Sequence, residues 1–222
     1  AETIIVRSGQ VGGSPGTVPT TSYVSSPDDI FTVLTGPSML PLRGSSFTAV
    51  DFAAADAGSS AVLISPHPTA WPALTLSTDP DARWINHIHG LIFQCCGSGI
   101  PAKSVLFSAP FNVTTPGTNP ATVTCTFAGD DRLGDAPTGP NPIGVYVNGV
   151  PLNSGFSGPV IGVEYTATDN NVPVTQGQNR IYFYTRDTAG SVSGLICSCT
   201  IEVGAPTPVE EASWGSIKTR ND

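Results

Sequence analysis

The stretch "ATVTCTFAGDDRLGD" (residues 121–135) decides how the chain is read. Its opening alternates: Val123, Cys125 and Phe127 fall on one side, Thr122, Thr124 and Thr126 on the other. That is the period of a β-strand with one face buried and one face wet. Asp130, Asp131 and Asp135 follow at once. They could hold a cation, work as paired carboxylates, or only close one strand and open the next. An EF-hand loop requires oxygen ligands at alternate positions, glycine at the sixth and glutamate at the twelfth, which this spacing does not meet. Calcium in an irregular oxygen cage stays open as an expectation. Glycoside hydrolysis needs two acids flanking a cleft, whereas adjacent Asp130 and Asp131 project to opposite sides of an extended chain. The plain reading is a turn, with aspartates accepting backbone N–H groups and Gly134 supplying positive φ.

Working outward, the same period returns. "SVLFSAPFNV" (104–113) places Val105, Phe107, Ala109, Phe111 and Val113 on one face, and "RIYFYTRD" (180–187) and "GLICSCTIEV" (194–203) add two strands. In "IGVYVNGVPL" (143–152), Asn148-Gly149 between apolar runs predicts a tight hairpin, because both residues tolerate positive φ. Upstream, "IFTVLT" (30–35), "SFTAVDF" (46–52) and "SAVLIS" (60–65) read as short strands. Between the last two, "DFAAADAG" predicts one helical turn capped by Asp51 and stopped by Gly58. Glycine (24) and proline (21) are spread through the 222 residues, which argues for short segments rather than long helices. The expected organisation is an extended N-terminal arm over 1–28, with a brief strand at Thr3 to Val6, and a sandwich domain over 29–204. A tail over 205–222 completes it. There Thr207, Pro208 and Glu210 suit a helix start, and Trp214 and Ile217 share one face. So short a helix is unstable alone in water and is expected to dock on the body or on a neighbouring subunit.

Charge narrows the partners. Nine Lys+Arg against 17 Asp+Glu give a net charge of −8 with no basic cluster, which argues against nucleic acid. No run approaches the ~18 consecutive apolar residues of a membrane span, and the N-terminus lacks the pattern of a signal peptide. The one G-x-S-x-G spacing, "GGSPG" (12–16), lies in a run too rich in breakers for the strand and helix of a nucleophile elbow and lacks the lysine of a phosphate-binding loop, so the expectation is a non-enzyme.

The segments "ATVTCTFAGDDRLGD", "GVYVNGVPL" and "NRIYFYTRDTAGSVSGLICSCTIEV" succeed one another in a way that resembles the jelly-roll sandwich of galactose-binding-like modules, over about residues 84–203. The resemblance implies an all-β, jelly-roll-like antiparallel β-sandwich. It also implies roles found among such modules, which are mostly non-catalytic: carbohydrate binding, adhesion and surface assembly. No individual residue here is matched to a sugar contact.

Several constellations remain. His87 and His89, followed by Cys95 and Cys96, offer zinc-ligating atoms, although adjacent cysteines do not readily aim both thiolates at one ion. Cys125, Cys197 and Cys199 all fall on apolar faces, so Cys125 could bond either partner across the sandwich. Five cysteines leave at least one thiol free or paired with another chain, with Cys95-Cys96 as the candidate link. Tyr182 and Tyr184 lie opposite Ile181 and Phe183 and are expected outward, where they and Trp84 could stack on a sugar; core packing accounts for Trp84 equally well. Two functions are expected. The first is a structural protein of a virion or cell surface that self-associates through arm and tail. The alternative is a secreted carbohydrate-binding module, its loops braced by calcium at Asp130, Asp131 and Asp135. Both place the protein at an extracellular or virion surface, with no cofactor beyond calcium.

Overall fold

In the computed structural model, which describes residues 1–18, 26–65, 71, 75–88, 102–159, 161–190 and 193–204, period-two alternation becomes antiparallel pairing throughout. The first elements are β1 (Glu2–Arg7), β2 (Gln10–Val11), β3 (Ser14–Pro15), β4 (Pro27–Thr35), α1 (Ala49–Asp56), β5 (Ser59–Leu63) and β6 (Ile85–Asn86). Then come β7 (Val105–Asp130), β8 (Arg132–Leu133), β9 (Val145–Val147), β10 (Val150–Pro151), β11 (Gly158–Pro159), β12 (Tyr165–Arg186) and β13 (Gly194–Val203).

The segments 104–113 and 121–129 are parts of one long strand, β7, which pairs along most of its length with β12. Each of the two serves both layers of the sandwich. The first half of β7 lies between β4 and the second half of β12, which continues to β9 and β10. The second half of β7 lies between the first half of β12 and β13, with β1 beyond. β6 touches both β5 and β13 and so joins the layers at one edge. Where β7 and β12 pass from one layer to the other their register slips, between Val113 and Thr118 on β7 and between Thr175 and Gly177 on β12. Positive φ at Gly117 and Gly177 permits the bend. Two buried asparagines close it: Asn119 Nδ2 donates to the Pro116 carbonyl at 3.1 Å, and Asn179 Nδ2 donates to those of Thr175 and Gly177 at 2.7 and 3.0 Å.

One core fills the space between the layers, formed by the inward alternates of both, among them Phe107, Phe111, Phe127, Phe183, Leu195 and Ile201. Cys125 and Cys199 stand directly opposite each other on β7 and β13 and form a disulfide. The bond therefore ties neighbouring strands of one layer, not the two layers across the core. By the chain-entropy argument, closing a 74-residue separation stabilises the fold by about 4 kcal/mol. Cys197 is free and wholly buried, and burial pushes its thiol pKa far up. Cys95 and Cys96 lie outside the described residues.

Two local expectations change. "SFTAVDF" is not a strand: Thr48 and Asp51 form a capping box and α1 runs from Ala49. The Thr48 N–H and hydroxyl both donate to Asp51 Oδ2, at 2.9 and 2.8 Å, so Thr48 rather than Asp51 is the cap. This reciprocal bonding, followed by three alanines, outweighs a brief alternation. At the N-terminus, β1 pairs in register with β13, and Val6 is buried. Its strand is an edge of the protein's own sheet instead of an arm left for a neighbour. The tail with Trp214 and Ile217 lies outside the described residues. No helix among the described residues is long and apolar enough to cross a membrane.

Candidate functional site

On the second half of β12, alternation turns Ile181 and Phe183 inward and Arg180, Tyr182 and Tyr184 outward. The outward tyrosines are nevertheless covered. Leu42, Phe47, Phe52 and Ala55, from the segment that contains α1, pack over them with Leu106 and Tyr146. Tyr182 is 4% exposed and Tyr184 0%. The Tyr184 hydroxyl donates to Asp135 Oδ1 at 2.8 Å and accepts from the Leu42 N–H at 3.0 Å. Trp84 is 1% exposed, its ring stacked on Trp71 at 4.0 Å. Tyr184 and Trp84 present no ring face for sugar stacking, and Tyr182 is left only at the rim of a roof from elsewhere in the chain.

A cavity of about 410 Å³ opens at the edge of this roof, where α1 faces the β9–β10 turn. One wall is aromatic, with the Phe52 and Tyr182 ring centroids 4.7 Å apart. The other carries Asp56, Arg180, Asn148 and Gln178. Asp56 ends α1 and pairs with Arg180 Nη1 at 3.3 Å. The Ser108 hydroxyl donates to Asp56 Oδ1 at 2.6 Å, and that of Tyr182 to Oδ2 at 3.3 Å. Burial, then the Asp56 carboxylate, raise the Tyr182 pKa well above the ordinary phenol value, so the group stays a donor. Across the cavity the hairpin is the one expected: Asn148 has φ 51° and Gly149 φ 80°. Asn148 Oδ1 accepts the Arg180 N–H at 2.9 Å, and its Nδ2 donates to Asn179 Oδ1 at 2.9 Å. A Cβ at Gly149 would meet the Phe52 ring at 3.2 Å, so glycine serves both the turn and the close approach to α1.

The three aspartates of 126–135 do not converge on one point, although the carboxyls of Asp130 and Asp131 hydrogen-bond each other. Asp130 Oδ2 accepts the Trp71 indole N–H at 2.5 Å. Asp131 Oδ2 accepts the Thr188 N–H and hydroxyl and the Ala189 N–H, at 2.5, 2.8 and 2.8 Å. Asp135 accepts from Tyr184 and, through Oδ2, from the Asn141 N–H at 3.0 Å. Each carboxylate ties a different loop to the end of the sandwich, and among the described residues no three His, Cys, Asp or Glu side chains are grouped to hold a metal ion. The calcium expectation fails for that geometric reason. Asp130 Oδ1 is buried without a heavy-atom donor. Burial first, then the hydrogen bond to Asp131, push the Asp130 pKa up to about 8, while that of Asp131 is lowered. Burial and the neighbouring Asp131 carboxyl thus favour the protonated form of Asp130.

His87 Nδ1 lies 2.7 Å from Asn86 Oδ1, and burial lowers its pKa to about 4. His89, its expected zinc partner, lies outside the described residues with the cysteine pair. Sequence reasoning named Tyr182 and the Asn148-Gly149 turn but missed Phe52, Asp56 and Arg180. A charged residue opening the apolar run "RIYFY" was the available signal for Arg180.

No family model matches the chain, and no curated protein matches it. Among solved structures, it is similar to a CBM35 from Paenibacillus barcinonensis at 17% identity, covering 61% of this chain and 84% of that one, with a TM-score of 0.28. A family 35 carbohydrate binding module from Clostridium thermocellum matches at 16% identity, over 49% and 82% of the two chains, with a TM-score of 0.27. A Podospora anserina GH26-CBM35 β-(1,4)-mannanase matches at 14% identity over 82% of this chain, which spans only 29% of that one, with a TM-score of 0.28.

Proposed function

We propose that the protein is a non-catalytic carbohydrate-binding module that takes a sugar unit in the cavity between α1 and the β9–β10 turn. One observation carries this: the Asp56–Arg180 pair set against the Phe52 and Tyr182 rings. A sugar has apolar C–H surfaces and hydroxyls that both donate and accept. A cavity with an aromatic wall facing a carboxylate, a guanidinium and two amides matches both kinds of surface. Arg180 and Asp56 hold each other in place, so little side-chain entropy remains to be lost on binding. The disulfide suits an oxidising, extracellular setting. The surface-assembly reading loses support at the N-terminus, where β1 is paired with β13 within the chain.

Isothermal titration calorimetry with mannohexaose, xylohexaose and galactotetraose tests the proposal. Binding of at least one, weakened tenfold or more by Arg180→Ala and by Asp56→Asn, is the expected result. Binding that ignores both substitutions would relocate the site, and no binding to any glycan of a wider array would end the reading.

A further inference from the structure

The opposite outer face of the sandwich, formed by β1, β13, the second half of β7 and the first half of β12, has no comparable roof. Strand register sets its side chains in rows: Arg7, Ser198, Thr126 and Thr166 in one, Ile5, Thr200, Thr124 and Thr168 in the next. The rows end in hydroxyl pairs across β7 and β12, Thr124–Thr168 and Thr126–Thr166, each at 2.9 Å. Two paired hydroxyls use one proton and one lone-pair site, so each pair keeps one donor and several acceptor sites for a ligand.

Threonine suits the wet side of any strand, but this face also has a wall. The segment 78–81 rises beside it, held by Asp79, whose Oδ2 accepts from Arg7 Nε at 2.8 Å and from the Ser198 hydroxyl at 2.5 Å. Arg7 Nη1 also reaches Asp81 at 3.3 Å. Floor and wall enclose a groove of about 410 Å³. Arg7 lies between two carboxylates, so the groove has no cationic surplus for an anionic polymer. What it offers is a dense set of hydroxyls, a fixed guanidinium and carboxylates, and the exposed side chain of Ile5.

We infer that this groove is a second saccharide site for a neutral glycan, and that the molecule bridges two glycan chains. The inference rests on the carbohydrate reading above. The hydroxyl rows recur every ~6.8 Å along the strands, with neighbouring strands ~4.8 Å apart, so they present hydroxyls at regular intervals to an extended hydroxylated chain. The two sites lie on the outward sides of opposite layers with the core between them. Two separate chains therefore occupy them, and the protein cross-links a polysaccharide.

The test uses the full chain, with calorimetry on the hexaoses above and turbidity with galactomannan or xylan. Wild type should bind two oligosaccharides per chain and cloud the polysaccharide solution. Thr124→Val with Thr200→Val removes groove hydroxyls while keeping shape and strand preference; Thr166→Arg fills the groove from an exposed position if that pair folds poorly. Either should lower the stoichiometry to one and abolish clouding, as should Arg180→Ala alone, and the combination with Arg180→Ala should bind none. A wild-type stoichiometry of one that vanishes with Arg180→Ala and ignores the groove variants overturns the second site while the carbohydrate reading stands. No binding by wild type overturns both.

Discussion

The two outer faces of the sandwich start from the same backbone period and end in opposite conditions. On one, Arg180, Tyr182 and Tyr184 point away from the core, and the segment around α1 folds over them. On the other, Thr122, Thr124 and Thr126 point away from the core and meet no apolar roof. The difference follows from what each row of side chains costs in water. Tyrosine rings bury a large apolar area that favours a cover, while threonine hydroxyls are satisfied by water and by each other. A roofed face can hold a cavity only at the rim of its roof, and the Asp56–Arg180 pair lies there. An open face can hold only a groove, which requires a wall, supplied here by residues 78–81.

The largest effect on this contrast should come from the disulfide beneath the open face. Cys125→Ala with Cys199→Ala, or reduction, is expected to lower stability by about 4 kcal/mol, read as a shift of the urea midpoint. Phe52→Ala comes next, at about 3 kcal/mol. It removes the ring that seats α1 on Tyr182, and loss of glycan binding should accompany the fall in Tm. If Phe52→Ala melts like wild type, the roof is not holding the face.

Third is the Asp130 carboxyl, which lies under a smaller roof formed by Trp71 and Trp84 over Ala128 and Ile196. Asp131, Asp187 and the Trp71 indole face Asp130. A carboxyl raised from 3.8 to about 8 on folding stabilises the protein fully below its unfolded pKa and loses that contribution as pH rises through about 8. Asp131, shifted the other way, contributes above its unfolded pKa and loses its share as pH falls. Tm should therefore fall as pH rises from about 4 to about 8, by a few degrees, on the order of 1–2 kcal/mol once solvent screening is discounted. Asp130→Asn should flatten that slope, with Trp fluorescence reporting the same midpoint. A slope unchanged in Asp130→Asn would place the proton elsewhere. The smallest effect is on the open face: Thr124→Val should alter stability by no more than about 0.5 kcal/mol, since it faces water; a loss of 2 kcal/mol in a thermal melt would mean this face is covered after all.

Much of the sandwich was legible. "GLICSCTIEV" became β13 residue for residue, and "VNG" placed a hairpin whose turn lies within the candidate site. The first half of β12, "YTATDNNVPVTQG", was missed, because its Asn-Asn and glycine imitate a loop while Ala167, Val172 and Val174 still face the core. "SFTAVDF" misled for the opposite reason, an alternation too short to withstand a capping box. Of the candidate cavity, Tyr182 was named, but its partners Phe52 and Asp56 were invisible, since nothing in a local window links α1 to β12.

Backbone pleating makes every second side chain face the same way, so the order of residues alone determined which side of each strand turns inward, and with it the two-layered core and the cysteine rows. Tertiary structure decided which outward sides are covered, which cysteine bonds Cys125, and where Asp130, Asp131 and Asp135 point. Those outcomes depend on contacts between segments distant along the chain, such as Leu42 with Tyr184 or Trp71 with Asp130. Local periodicity has no information about such contacts, because they form only when the whole chain closes.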